Sequence, residues 1–232
     1  MTRVVVLAGG VPHAHDYADI GRALSATIAS RGYEVAVVDR PELAAEALDG
    51  ADALVVDALW WRMDGDMYSR WRGDWAYSPS EETRDALASF VAGGGGLLAL
   101  HTASICFDDW PEWGAIVGGA WDWGRSSHPP ANAVHPRVVA EHPVVAGVAT
   151  AIAESGDMRD EVYGDLVLED GIDVLATARR SAGDSDQPVV WAHRYGAGRV
   201  VYIGFGHDAD SIEHPVNRRL IAQGLAWILE ER

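Results

Sequence analysis

The sequence predicts an α/β domain built on a mostly parallel sheet. Short unbroken apolar runs recur along the N-terminal half. Amphipathic stretches at helical spacing separate them, and the joins are short. Strand, helix, strand in that rhythm is the pattern of a parallel sheet with crossover helices.

Val4 to Ala8 reads as a first strand buried on both faces, ended by Gly9-Gly10. A polar loop, Val11-Pro12-His13-Ala14-His15-Asp16, leads to Ile20, Leu24 and Ile28 at helical spacing, and Gly32 closes that helix. Tyr33 to Val38 is the second strand, Leu43 to Leu48 a short helix, and Ala53 to Val56 a third strand ending at Asp57. Ala58 to Tyr77 breaks the rhythm, with no clean period and many tryptophans; an irregular stretch of that length reads as a ligand-site lid or an interface. In Ser78-Pro79-Ser80-Glu81 we read an N-cap, a proline at the first helical position and an acid closing a capping box. That helix runs to Gly93-Gly94-Gly95-Gly96, and Leu97 to Leu100 is a fourth strand delivering His101. Beyond Asn132 the elements shorten: strands at Ala133 to Val139 and Asp173 to Thr177, then Pro188 to Ala192 and Arg199 to Ile203 paired across a Tyr195-Gly196-Ala197-Gly198 turn. Pro215 opens a last helix. No repeat or linker divides residues 1–232, so one domain is expected.

Composition narrows the function classes. The chain carries 18 basic and 35 acidic residues, a formal net charge of −17, which repels phosphate backbones and anionic membranes. No nucleic-acid or membrane partner is expected. Met1-Thr2-Arg3 passes straight into the first strand and does not read as a signal peptide, so a cytoplasmic location is expected. A single cysteine, Cys106, excludes an internal disulfide and any multi-thiolate metal centre. Eight of the ten tryptophans fall between Trp60 and Trp123. Flat aromatic faces beside acids and histidines suit a sugar, although an aromatic core or a homo-oligomer interface would use them too.

In an open parallel sheet, ligands bind beyond the carboxyl ends of the strands. That rule selects His13 and His15 after the first strand, Asp57 and Trp60 after the third, His101 and Thr102 after the fourth, and His207 and Asp208 after the strand at 199–203. Loops add Asp108, Asp109, Asp122, His128, Asp160, Glu161 and Tyr163. Histidine beside carboxylate performs acid–base work near neutral pH or binds a metal. Two histidines two residues apart in a loop do not define a metal site, and no metal or cofactor is assigned. His135, His142 and His214 each precede a proline, which suggests turn geometry. Cys106 lies five residues past His101 with no identified activating base, so a thiol nucleophile is not expected. Gly93 to Gly96 precede a strand, the wrong order for a nucleotide cradle.

Several segments together resemble the trehalose-utilisation (ThuA-like) family. They are Leu98-Ala99-Leu100-His101-Thr102-Ala103-Ser104, Asp109-Trp110-Pro111-Glu112-Trp113, Ser127-His128-Pro129-Pro130, His142-Pro143-Val144 and Asp160-Glu161-Val162-Tyr163. Pro188-Val189-Val190-Trp191, Tyr195-Gly196-Ala197-Gly198-Arg199-Val200 and Gly206-His207 complete the set, in order along nearly the whole chain. The resemblance implies a fold similar to class I glutamine amidotransferases, and a role in catabolism of trehalose-like disaccharides or keto-sugars. An amidotransferase would carry cysteine where this chain has His101, so glutamine hydrolysis is not expected. The family usually shows His-Ser-Ala at this elbow, and Thr102 keeps the hydroxyl.

Two functions follow. One is an enzyme on a disaccharide or keto-sugar, with His101 and His207 transferring protons, and Glu161 or Asp57 orienting or assisting. His13, Trp60, Thr102, Trp110, His128 and Tyr163 would then line the ligand site. The other is a non-catalytic sugar-binding or assembly domain that keeps the scaffold without the amidotransferase nucleophile. The convergence of several histidines and acids on the strand ends favours the enzyme.

Overall fold

β-branched and aliphatic runs become strands where both sheet faces can be covered, and the N-terminal half supplies four of them. The computed structural model describes residues 1–230. Its first half runs β1 (Arg3–Leu7), α1 (Tyr17–Ala29), β2 (Glu34–Val38), α2 (Pro41–Ala47), β3 (Ala53–Val56), α3 (Ser69–Trp75), α4 (Glu81–Ala92), β4 (Gly96–Leu100) and α5 (Pro111–Val117). Short strands follow: β5 (Gly119–Ala120), β6 (Asn132–Val134) and β7 (Arg137–Val138), then α6 (Val148–Ser155), β8 (Met158–Asp160) and β9 (Val167–Leu168). The chain closes with β10 (Asp173–Ala178), β11 (Gln187–Tyr195), β12 (Gly198–Ile203), α7 (Ala209–Glu213) and α8 (Pro215–Ile228).

Eight strands form one sheet in the order β2-β1-β3-β4-β12-β11-β10-β7. The first five pair in parallel, and the last three complete the sheet antiparallel. The α/β prediction and its parallel N-terminal half are therefore borne out. Helices α1 and α8 pack on each other and on the strands, while α2, α4 and α5 form a second connected layer. Strands β1, β3 and β4 are almost wholly buried, as strands covered on both faces must be. β4 lies fourth of the eight, near the middle of the sheet.

Register sets up the site. Leu7 pairs with Val56, Val56 with Ala99, and Ala99 with Tyr202. The carboxyl ends of β1, β3, β4 and β12 thus stand level, and whatever follows them emerges at one edge.

The structure departs from the sequence reading in a few places. The segment Ala58 to Tyr77 contains a 3-10 turn, Asp66–Tyr68, and the helix α3, where no period was visible. Tyr68, Trp71 and Trp75 pack on the core at helical spacing, but the element is short and none of its residues is fully buried, so the period is too brief to stand out. The cap of α4 is Ser80 and not Ser78: the Ser80 hydroxyl accepts from the Thr83 N–H at 3.2 Å, and Pro79 precedes the helix. The stretch from Ala133 to Val139 is not one strand. His135-Pro136 divides it into β6, which pairs with β8, and β7, which joins the large sheet. The hairpin is as expected, with Tyr195 opposite Gly198 and Gly196 in the left-handed region at φ 58°. A Cβ there would meet the Ala92 backbone at 2.7 Å, so glycine is required. No helix among the described residues is long and apolar enough to cross a membrane.

Candidate functional site

His101 sits at the junction between β4 and a single 3-10 turn, His101–Ser104. Its φ is +41°, in the left-handed region that β-carbons disfavour, which is strain held by surrounding structure. The Tyr202 hydroxyl donates to the His101 carbonyl at 2.9 Å and the Ser104 hydroxyl at 3.2 Å, clamping the elbow. The ring is fully buried, and its Nδ1 donates to the Gly204 carbonyl at 3.1 Å. That leaves Nε2 facing Tyr163, whose hydroxyl is 3.0 Å away, and Glu161, whose Oε2 is 3.6 Å away.

Glu161 is the hub. Its Oε2 lies 3.2 Å from His128 Nδ1 and 3.5 Å from His207 Nδ1 as well as near His101. It comes from outside the large sheet, just past β8, and its neighbour Asp160 holds it there. Asp160 is fully buried; its Oδ2 accepts from the Gly206 N–H at 2.9 Å and from the Ser211 hydroxyl, and its Oδ1 accepts from the Glu161 N–H at 2.7 Å. The segment is therefore tied to the end of β12 and to α7.

His15 completes the group. Its Nδ1 donates to the His207 carbonyl at 2.9 Å, and its ring lies 4.7 Å from that of His207 and 5.2 Å from that of His101. The strand-end rule selected His15 as a candidate, but the ligand-lining role was expected of His13. The structure places His13 outside the cluster, exposed and packed on Trp71. An extended chain would point residues two apart to the same side, but residues 12–14 form a turn closed by the Ala14 N–H donating to the Val11 carbonyl at 3.1 Å, so only one histidine of His13-Ala14-His15 reaches the strand ends.

The structure thus brings His101, His207, Glu161, His128 and Tyr163 together. Asp57 and Thr102 lie behind them: both are fully buried, with Thr102 Oγ1 donating to Asp57 Oδ1 at 3.3 Å and the Tyr17 hydroxyl 3.3 Å from the same Oγ1. Gly206, at φ +147°, makes room for this layer, since a Cβ there would stand 2.5 Å from Asp57 Oδ2. Trp60 lines a neighbouring cleft of about 450 Å³ with Trp75, Arg40 and His15. Trp110 is buried against Phe107 and Trp113, a packing role. Trp121 stands over Tyr163 and His128 at 5.3 and 5.8 Å, and it was read only as part of the tryptophan cluster.

Residues 3–228 match the family described as ThuA, trehalose utilisation. The chain belongs to the ThuA family. Among curated proteins, none matches the sequence significantly. A ThuA-like protein of Parabacteroides merdae superposes with a TM-score of 0.74 at 19% identity, covering 99% of this chain and 90% of that one. A second, from Bacteroides uniformis, gives 0.69 at 16%, covering 100% and 92%. A β-galactosidase of the haloarchaeon Halorubrum lacusprofundi matches at 0.59 and 18%, over 97% of this chain but only 30% of its own. At these identities the superpositions show a shared fold.

Electrostatics separate the roles available within this ThuA site. Burial alone would discourage charge on His101, but Glu161, Asp160 and Asp57 outweigh it and hold the imidazole up to about 9. Burial likewise resists ionisation of Glu161, yet the imidazoles of His101, His128 and His207 hold its carboxyl well below the usual range. Burial, reinforced by the neighbouring His101, pulls His15 down to about 3. At neutral pH the site therefore presents an imidazolium, a carboxylate and a neutral imidazole side by side, which is an acid and a base in one place. Cys106 is not part of it. Its thiol donates to the Ala58 carbonyl at 2.8 Å, and burial pushes it far above the range in which a thiolate forms.

Asp57 gives the first prediction. Burial raises its carboxyl from 3.8 to about 8, against the opposing pull of His101, so it resists ionisation at neutral pH. An unfolded chain ionises this group from about pH 4 upward while the folded one resists until about 8, so its contribution to stability falls as pH rises across that window. Asp57→Asn mimics the protonated form and escapes the penalty. The variant is expected to melt a few degrees higher than the wild type at pH 7.5, with the difference closing by pH 4. Melting curves that differ equally at both pH values would show that Asp57 is ionised in the fold.

Proposed function

We propose that this protein is an enzyme acting on a disaccharide or keto-sugar by histidine–carboxylate acid–base chemistry. The observation that carries this reading is the convergence of His15, His101, His128 and His207 on the single carboxylate of Glu161. A binder of neutral sugars has no need for an imidazolium and a neutral imidazole within one group. A carbon acid beside a keto group, or a glycosidic oxygen, needs just such a pair, one member to take a proton and the other to give one. Membership of a trehalose-utilisation family supports the substrate class. The cleft beside His15 falls in the size range of small-molecule sites; the half-buried Trp75 lines it, while the Trp60 ring beneath is buried and covered by the Arg40 guanidinium.

The decisive experiment is a binding screen of disaccharides and their keto derivatives, with product analysis on every ligand that binds. Conversion by hydrolysis, isomerisation or elimination establishes the enzyme; saturable binding with no conversion establishes the sugar-binding domain instead.

Residues 58–77 should respond to the same ligand. The segment contributes Trp60 and Trp75 to the cleft wall, while its tip, including Arg70 and Met67, is exposed. Trypsin is expected to cut at Arg70 in the free protein and several-fold more slowly under saturating sugar, as for a lid that closes on its ligand. Equal cleavage rates with and without sugar would make the segment a fixed wall.

A further inference from the structure

We propose that His15, His101, His207 and Glu161 form a binding site for one divalent first-row transition-metal ion. One ligand atom from each of the four lies within 4.8 Å of the others. Two of the spacings, from Glu161 Oε2 to His101 Nε2 and to His207 Nδ1, are 3.6 and 3.5 Å. Four ligands at about 2.1 Å in a tetrahedron stand roughly 3.4 Å apart, so these two already have the spacing and the rest close by side-chain rotation.

The nitrogens are aimed in advance. His15 Nδ1 donates to the His207 carbonyl and His101 Nδ1 to the Gly204 carbonyl. Because a carbonyl only accepts, each ring carries a proton on Nδ1, so Nε2 is the atom turned to the centre, and ligation there displaces the second proton of His101. Hydrogen bonds from the far ring nitrogen to backbone carbonyls are how proteins fix metal-ligating histidines. His207 supplies an independent observation. Its Nδ1 is buried and has no hydrogen-bond partner, since Glu161 is too far for a good bond. A buried nitrogen left without a partner calls for a ligand, and an ion at the centre of the four supplies one.

The donor set selects the metal class. Three imidazoles and one carboxylate suit zinc, iron(II), cobalt or manganese, whereas calcium and magnesium prefer oxygen cages. Asp160, 3.8 Å from His101 Nδ1, stands behind the cluster and offsets the positive charge an ion would bring. With an ion in place His101 becomes a ligand, Tyr163 releases its contact with Nε2, and the proton-carrying groups left are Tyr163 and the half-exposed His128. The sequence reading assigned no metal because a two-residue histidine spacing alone says little. The fold adds the other two histidine and carboxylate donors from strands and loops far apart in sequence.

Metal binding here is measured without any sugar, so it is decided separately from the reaction proposed above. The protein, stripped with a chelator and dialysed, is titrated by calorimetry with zinc chloride and with manganese chloride, and total metal is then measured after gel filtration. One equivalent per chain is expected, with a melting temperature that climbs as the ion is added. His15→Ala and Glu161→Gln are expected to lower affinity about 100-fold or more, above what loss of an outer partner costs. His13→Ala, which removes the other histidine of the pair, should bind as the wild type does. If His15→Ala proves unstable without metal, His207→Gln decides, because His207 is partly exposed and its removal leaves the buried elbow untouched. Absence of saturable binding, or one equivalent bound equally well by the Glu161→Gln and His207→Gln variants, overturns the site. An ion bound with no sugar converted leaves the site standing and removes only the reaction.

Discussion

His101→Asn is expected to slow conversion of a sugar substrate by a factor of about 10² to 10⁴ while the fold survives, the range over which a positioned acid–base group usually contributes. Asparagine is the suitable replacement for a backbone reason. It tolerates the left-handed region better than any other residue with a side chain, apart from aspartate, so the φ of +41° is kept. The elbow also stays clamped, because the bonds from Tyr202 and Ser104 go to the main-chain carbonyl and not to the ring. What is lost is the Nε2 that faces Tyr163 and Glu161. An amide neither shuttles a proton near pH 7 nor replaces an imidazole as a metal ligand, so turnover falls under either role. Metal content separates them: a variant that still binds one ion but has lost turnover assigns His101 to proton transfer. Turnover unchanged in His101→Asn, at a comparable melting temperature, would remove His101 from the reaction. A much earlier melt would show instead that the ring holds the elbow.

Asp160→Ala is expected to cause the largest loss of stability, on the order of 3 to 5 kcal/mol. The substitution leaves the Gly206 N–H, the Glu161 N–H and the Ser211 hydroxyl without their acceptor. Each stranded buried donor costs about 1 to 3 kcal/mol, and the three share one neighbourhood, so the sum is less than additive. In a chain of this size that corresponds to roughly 10 °C or more in melting temperature. Burial opposes the ionised form of Asp160 and raises its carboxyl, so part of what the bonds contribute is already spent on holding a charge in the interior. Asp160→Asn keeps one carbonyl oxygen as an acceptor and places an amide against a donor, and it should fall between the two. The same loss displaces Glu161, so Asp160→Ala should also weaken any ligand bound at the hub. A melt within about 2 °C of wild type would mean that the 158–163 segment is held by β6–β8 pairing alone.

The sheet was legible because its information is local. Unbroken runs such as Val4 to Leu7 and Leu97 to Leu100 can be buried only in a strand covered on both sides, and the helical periods between them leave few topologies. His101 was legible for the same reason, since the end of a central strand is fixed once the strand is. Glu161, Tyr163 and His128 were selected by family resemblance and loop position, and nothing in their own neighbourhoods said that they meet His101. That meeting depends on β6 pairing with β8 and on Asp160 reaching Gly206, contacts 46 residues apart or tied through the large sheet. The choice of His15 over His13, and the retreat of Asp57 and Thr102 behind the site, turn on which way a side chain points after its strand ends. So the sequence determined the layers, the strand order's parallel core and the elbow carrying His101, because apolar periodicity and turn chemistry act over a few residues. Only the tertiary structure decided which of the nine histidines share one carboxylate, because that is set by long-range packing, which no local pattern records.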